Sequence, residues 1–111
     1  KQKDTSGEEN TIAIPGFEKV TLYANETTQA VNFHNPEIND CYFKISLIHP
    51  DGSVLWISDL IEPGKGMYSI ELEKTLAVGE YENAVLKYEC FSLNDQSPLN
   101  GSEINLKLVV V

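Results

Sequence analysis

Short runs of apolar and polar residues alternating with a period of two constrain this chain more than any other feature. Cys41, Phe43, Ile45 and Leu47 share one phase of such a run, against Tyr42, Lys44 and Ser46 in the other. Ala84, Leu86, Tyr88 and Cys90 do the same against Asn83, Lys87 and Glu89. Ile104, Leu106, Leu108 and Val110 repeat it against Asn105 and Lys107. Successive side chains on a strand point to opposite faces, so each run reads as a strand with one face in the core and one in water. No stretch offers apolar residues at helical spacing over a useful length, and Leu72–Leu76 allows one turn at most.

Seven runs of this kind lie along the chain, at Glu18–Ala24, Gln29–His34, Cys41–His49, Ser53–Ser58, Met67–Glu73, Glu80–Phe91 and Glu103–Val111. Turn-forming residues part them, including Asn25-Glu26, Asn35-Pro36, Pro50-Asp51-Gly52 and Glu62-Pro63-Gly64-Lys65-Gly66. Ile12–Ile14 predicts a further short edge strand. Strands spaced at about ten residues indicate an antiparallel β-sandwich or barrel. A chain of 111 residues holds one hydrophobic core. The expectation is a single all-β domain over residues 11–111. Lys1–Asn10 contains no apolar residue and reads as a disordered polar tail or tether.

Seventeen acidic residues stand against eight basic ones, for a net charge of −9, and every basic residue is Lys. Nucleic-acid recognition relies on positive surface and on the bidentate fork of Arg, so this composition argues against it. It argues equally against an anionic membrane surface, and no run is long enough for direct membrane insertion as a helix.

The segment Leu76-Ala77-Val78-Gly79-Glu80-Tyr81, followed by Val85-Leu86-Lys87-Tyr88, resembles the corner and penultimate strand of immunoglobulin-like domains. Val54-Leu55-Trp56-Ile57, after a Pro-Asp-Gly turn, looks like a neighbouring strand of such a sandwich. Taken whole, Ile12–Val111 is similar to small Greek-key domains of exported and cell-surface proteins of Gram-positive bacteria. The chain departs from antibody-type domains in two ways. Trp56 sits on the fourth strand rather than the third, and the cysteines do not fall on the second and sixth. The resemblance implies an extracellular or cell-surface module, tethered through the N-terminal tail, that binds an unknown protein or glycan or acts as a spacer. It implies no enzyme and no cofactor.

The resemblance also implies that the third and sixth strands are antiparallel neighbours, which puts the start of one beside the end of the other. Cys41 and Cys90 then share an inward phase and are candidates for a disulfide, with two buried thiols as the alternative. A zinc site would need four ligands, and His34 alone could join these cysteines from nearby.

In an antiparallel sandwich successive strands reverse, so the loops sort into two poles. His34 and His49 fall at opposite poles, about a strand length or ~20 Å apart. They cannot serve one catalytic or metal site, and no nucleophile-elbow motif accompanies either. The loops joining strands two to three, four to five and six to seven share one pole. They carry Asn35, Glu37, Asn39, Asp40, Asp59, Glu62, Asn94 and Asp95, candidate ligands for calcium, a glycan or a peptide. The same residues are also ordinary turn formers. Asn25-Glu26-Thr27 and Asn100-Gly101-Ser102 match the N-glycosylation sequon. Tyr23, Tyr42 and Trp56 fall on expected outer faces and could form a binding strip, with ordinary cross-strand packing explaining them equally well. Leu108–Val111 could leave an apolar edge for a homo-oligomer, or the terminus could equally be covered.

Overall fold

A computed structural model describes residues 19–111. The strands are β1 (Lys19–Leu22), β2 (Thr28–His34), β3 (Cys41–Ile48), β4 (Val54–Ile57), β5 (Gly66–Glu71), β6 (Gly79–Ser92) and β7 (Pro98–Val110), with no helix among the described residues. All seven expected runs are present. The polar tail Lys1–Asn10 and the edge strand expected at Ile12–Ile14 lie outside the described residues.

The strands form a five-stranded sheet in the order β1-β7-β6-β3-β4 and a two-stranded sheet of β2 and β5. Their apolar faces enclose one core, as a β-sandwich requires. Phe43, Ile45 and Leu47 of β3, Leu86 and Tyr88 of β6, and Leu108 of β7 meet Leu22 and Phe33 there, all with no exposed surface. Each such side chain contributes about 1.5–3 kcal/mol relative to an exposed position. Phe43 meets the Tyr88 ring edge-on at 5.2 Å, across the β3–β6 pair.

The sandwich is not wholly antiparallel, which corrects the sequence expectation. β1 pairs in parallel with β7, Lys19 to Lys107 through Leu22 to Val110. The reason is the alternation itself: when every successive strand reverses, all odd-numbered strands run the same way. Two of them placed side by side must pair in parallel. This pairing also covers the chain end. Val111 N–H donates to Leu22 O at 3.0 Å and Ala24 N–H to Val111 O at 2.9 Å. Leu108–Val110 therefore lies between β1 and β6, the covered arrangement that the sequence left open beside a free edge. Among the described residues, the open edge of β7 is its first half, Pro98–Asn105.

A second correction concerns Trp56. The β3–β4 register steps from Leu47↔Trp56 to Ile48↔Val54, leaving Leu55 as an extra residue on β4. Such a bulge breaks strict alternation, so Leu55 and Trp56 both turn inward and are 0% and 7% exposed. Trp56 packs on Phe33 of the other sheet at 5.6 Å instead of joining an outer strip. Tyr23 is exposed and Tyr42 half-buried, so the three aromatics form no common surface.

Both open seams of the sandwich are stitched. The buried amide of Gln29 accepts from Tyr23 N–H at 2.9 Å and donates to Tyr23 O at 2.8 Å, standing in for a strand partner after β1. On the other side, Glu73 N–H donates at 2.8 Å to the carbonyl of Leu55, within the bulge. The long β6–β7 hairpin carries a bulge of its own, because Tyr88 pairs with Ser102 but Cys90 with Leu99. Asn100 and Gly101 both oppose Glu89 there. A Cβ on Gly101 would lie 2.2 Å from Tyr88 O, so this backbone approach requires glycine.

Candidate functional site

The pole shared by the β2–β3, β4–β5 and β6–β7 loops is built around one buried amide. Asn35, with no exposed surface, donates through Nδ2 to Cys41 O at 2.8 Å and to Ile61 O at 2.9 Å. Its Oδ1 accepts from Asn39 Nδ2 at 2.9 Å. Its backbone N–H donates to Lys65 O, and its carbonyl accepts from Gly64 N–H. A single side chain thus joins the β2–β3 loop to the β4–β5 loop and to the first residue of β3. The third loop is brought up by strand pairing, since Cys41 of β3 faces Ser92 at the end of β6.

The eight residues singled out at this pole therefore divide. Asn35 and Asn39 are buried, and both amides serve the inner framework of the loops rather than a ligand. Glu37, Asp40, Asp59, Glu62, Asn94 and Asp95 are exposed. Glu37 leans over the β4–β5 loop, its Cγ 3.7 Å from where a Cβ on Gly64 would stand. Asp95 Oδ1 accepts from Ser97 N–H at 3.0 Å, which shapes the hairpin turn. Hydrogen bonds from Ser97 hold the Asp95 carboxyl below its usual range. Among the described residues, no three His, Cys, Asp or Glu side chains converge closely enough to hold a metal ion.

What the residue pattern did not single out is apolar. Ile38 is 82% exposed, Leu60 36% and Leu93 41%, one from each of the three loops. Ile38 occupies a corner of the turn closed by Asn39 N–H on Pro36 O at 3.1 Å. Such corners ordinarily carry Gly, Asn, Asp or Ser, not a β-branched aliphatic. The available signal was that each of the three lies outside any strand phase, beside an acid or amide residue. Exposed aliphatics grouped at one end of a domain mark contact surfaces more often than isolated ones do.

The opposite pole is stitched by backbone and turn hydrogen bonds and also exposes apolar side chains, Tyr23 at 56% and Val78 at 71%. Asn25 N–H donates to Leu76 O at 3.1 Å, joining its β1–β2 and β5–β6 loops. Its β3–β4 turn is fixed by Asp51, whose Oδ1 accepts from Ser53 N–H at 2.8 Å and from Ser53 Oγ at 2.6 Å. These bonds hold the Asp51 carboxyl down at about 2. His49 stacks edge-on to Tyr81 at 5.3 Å here, whereas His34 ends β2 at the three-loop pole. The histidines are thus at opposite ends of the sandwich.

Beneath the three-loop pole lie Cys41 and Cys90, both free thiols and each 1% exposed. Burial pushes the Cys90 thiol up to about 12, with the neighbouring Cys41 adding to the rise, and it also raises the Cys41 thiol and the Tyr88 phenol. An unfolded chain would release these protons near the ordinary values of 9.0 and 10.0. Above pH 9 the unfolded state is therefore favoured by ionisation that the folded state resists. The dithiol protein is expected to keep its stability below pH 9 and to lose it as pH rises towards about 12. Urea melts in reductant across that range check this, and a flat profile from pH 8 to 11 would contradict it.

In comparisons with known proteins, no family model and no curated protein matches this chain.

Proposed function

We propose that this chain is a non-catalytic immunoglobulin-like binding module, and that its three-loop pole receives a protein segment with an apolar centre and a cationic rim. One observation carries the reading: Ile38, Leu60 and Leu93 are held in solvent by three adjoining loops, amid exposed carboxylates. The loops at that pole carry Glu37, Asp40, Asp59, Glu62 and Asp95 against Lys65. Exposed aliphatic side chains set among like charges select partners electrostatically and hold them by burial.

The strand partition supports the immunoglobulin-like part of the reading. The third, sixth and seventh strands share one sheet and the second and fifth share the other, as in Greek-key domains of that type. In antibody variable domains the B–C and F–G loops, which correspond to the loops after the second and sixth strands of a seven-stranded sandwich, belong to the binding end. That likeness is an analogy of fold, and the side chains on display are the argument for function. In this reading the module belongs to an exported protein.

A peptide array tests the proposal, using cationic peptides with aliphatic or aromatic centres and anionic counterparts as controls. The protein is expected to retain a subset of the cationic peptides, with retention falling as salt screens the rim. A triple variant, Ile38→Ser, Leu60→Ser and Leu93→Ser, is expected to lose at least tenfold in affinity with little change in Tm. Equal retention by that variant, or none by the wild type, would remove this reading. A spacer predicts the second of those outcomes.

A further inference from the structure

We propose that Cys41 and Cys90 are the site of an intramolecular disulfide, formed by exchange with a low-molecular-weight disulfide, that fastens the base of the three-loop pole. The β3–β6 register pairs Cys41 with Ser92 and Phe43 with Cys90, so the cysteines are diagonal neighbours on the same face. Both lie in the core, each 1% exposed. Diagonal neighbours on an antiparallel pair stand about 7–8 Å apart, so closing a disulfide requires the two strands to draw together there by about 1–2 Å. The chain has two cysteines, so an intramolecular bond has no other pairing.

The position gives the bond a consequence. Cys41 follows Asp40 where the β2–β3 loop ends, and its carbonyl already accepts from Asn35 Nδ2. Cys90 lies two residues before the end of β6, where the third loop begins. A bond between them would lock the register of β3 against β6 beneath two of the loops that display Ile38 and Leu93. This inference does not depend on the binding reading, since its test reads covalent state and stability alone.

The chemistry balances with oxidised glutathione as the oxidant. The Cys41 thiolate attacks one glutathione sulfur, forming a mixed disulfide and expelling a glutathione thiolate. The Cys90 thiolate then attacks the Cys41 sulfur, forming the protein disulfide and expelling the second glutathione thiolate. The two thiol protons and two electrons of the protein leave on two molecules of reduced glutathione. Attack requires thiolate, which burial suppresses at both residues. Exchange is therefore slow in the finished fold and faster while the chain is folding and the pair is still open.

The test refolds the full chain in a mixed reduced and oxidised glutathione buffer as oxidising as the secretory pathway, with a fully reduced sample beside it. The expected product is a monomer lighter by two hydrogens, unreactive towards thiol reagents after denaturation, with one peptide cross-link joining Cys41 to Cys90. Its Tm should exceed that of the reduced protein by roughly 10–20 °C, because the bond restricts a long loop of the unfolded chain. A Cys41→Ala, Cys90→Ala double variant should melt at the same temperature in either buffer. Thiols that persist, stop at the mixed disulfide or bond only between chains overturn the proposal. Should the double variant fail to fold, the mass and the two melts of the wild type still decide.

Discussion

Asn35→Asp is expected to cost the fold about 3–5 kcal/mol at neutral pH, or to abolish folding, although it exchanges one side-chain nitrogen for oxygen. The Asn35 amide donates to two carbonyls, Cys41 O and Ile61 O, in a site without exposed surface. A carboxylate has no proton for either and sets its own charge against both. The bond from Asn39 Nδ2 would survive and strengthen, but one gain does not offset two buried carbonyls facing an anion. Asn35→Ala should cost less, about 2–3 kcal/mol, since it removes the donors without burying charge. Urea melts at pH 7 and pH 4 separate the contributions. The aspartate variant should recover part of its loss at pH 4, where a protonated carboxyl regains one donor, and the alanine variant should not. A loss below 1 kcal/mol for the aspartate variant would mean that the loops are joined by other means.

That prediction marks where residue pattern stopped being informative. Asn35-Pro36 announces a turn because Asn favours turns and Pro cannot extend a central strand. Neither property says whether the amide points outward to a ligand or inward to the loop backbone. The direction is decided by Cys41 and Ile61, distant in sequence and adjacent only once the sheets have packed. The strands were legible for the opposite reason. Phe43, Ile45 and Leu47, or Ala84, Leu86 and Tyr88, each carry their burial in local alternation, and the structure buries them all. Parity of the strands likewise separated His34 from His49, whereas putting Cys41 near Cys90 also took the immunoglobulin-like resemblance, which implied that the third and sixth strands are neighbours. Parity failed to warn of the parallel β1–β7 pair, because it fixes direction and leaves open which strands are neighbours.

Buried and displayed residues at the three-loop pole therefore have separate tasks. Asn35 and Asn39 consume their hydrogen-bonding capacity inside the loops, which leaves Ile38, Leu60 and Leu93 in water on a fixed support. Preorganised loops lose less entropy on binding, so the same contacts yield more affinity. A pole stapled from within can thus present aliphatic side chains that a loose loop would fold back onto the domain.

The second large effect is expected at Trp56, where Trp56→Ala should destabilise the protein by about 3–5 kcal/mol. The indole is 7% exposed and packs on Phe33 at 5.6 Å, so it spans the gap between the five-stranded and two-stranded sheets. Removing it leaves a cavity beside β4, an edge strand of four residues with Leu55 as its other buried anchor. Loss of that anchorage also weakens the seam bond from Glu73 N–H to Leu55 O, which depends on the bulge holding both side chains inward. Val54→Ser and Ile57→Ser, at the exposed positions of the same strand, should each change stability by less than about 1 kcal/mol. Trp56 is the only tryptophan, so native fluorescence should be blue-shifted and should move to the red as the chain unfolds. An outward indole, as strict alternation along β4 implied, would show red-shifted native emission and an alanine variant as stable as the wild type. The bulge excludes both results: with Leu55 as the extra residue, the phase of β4 reverses and the indole enters the core.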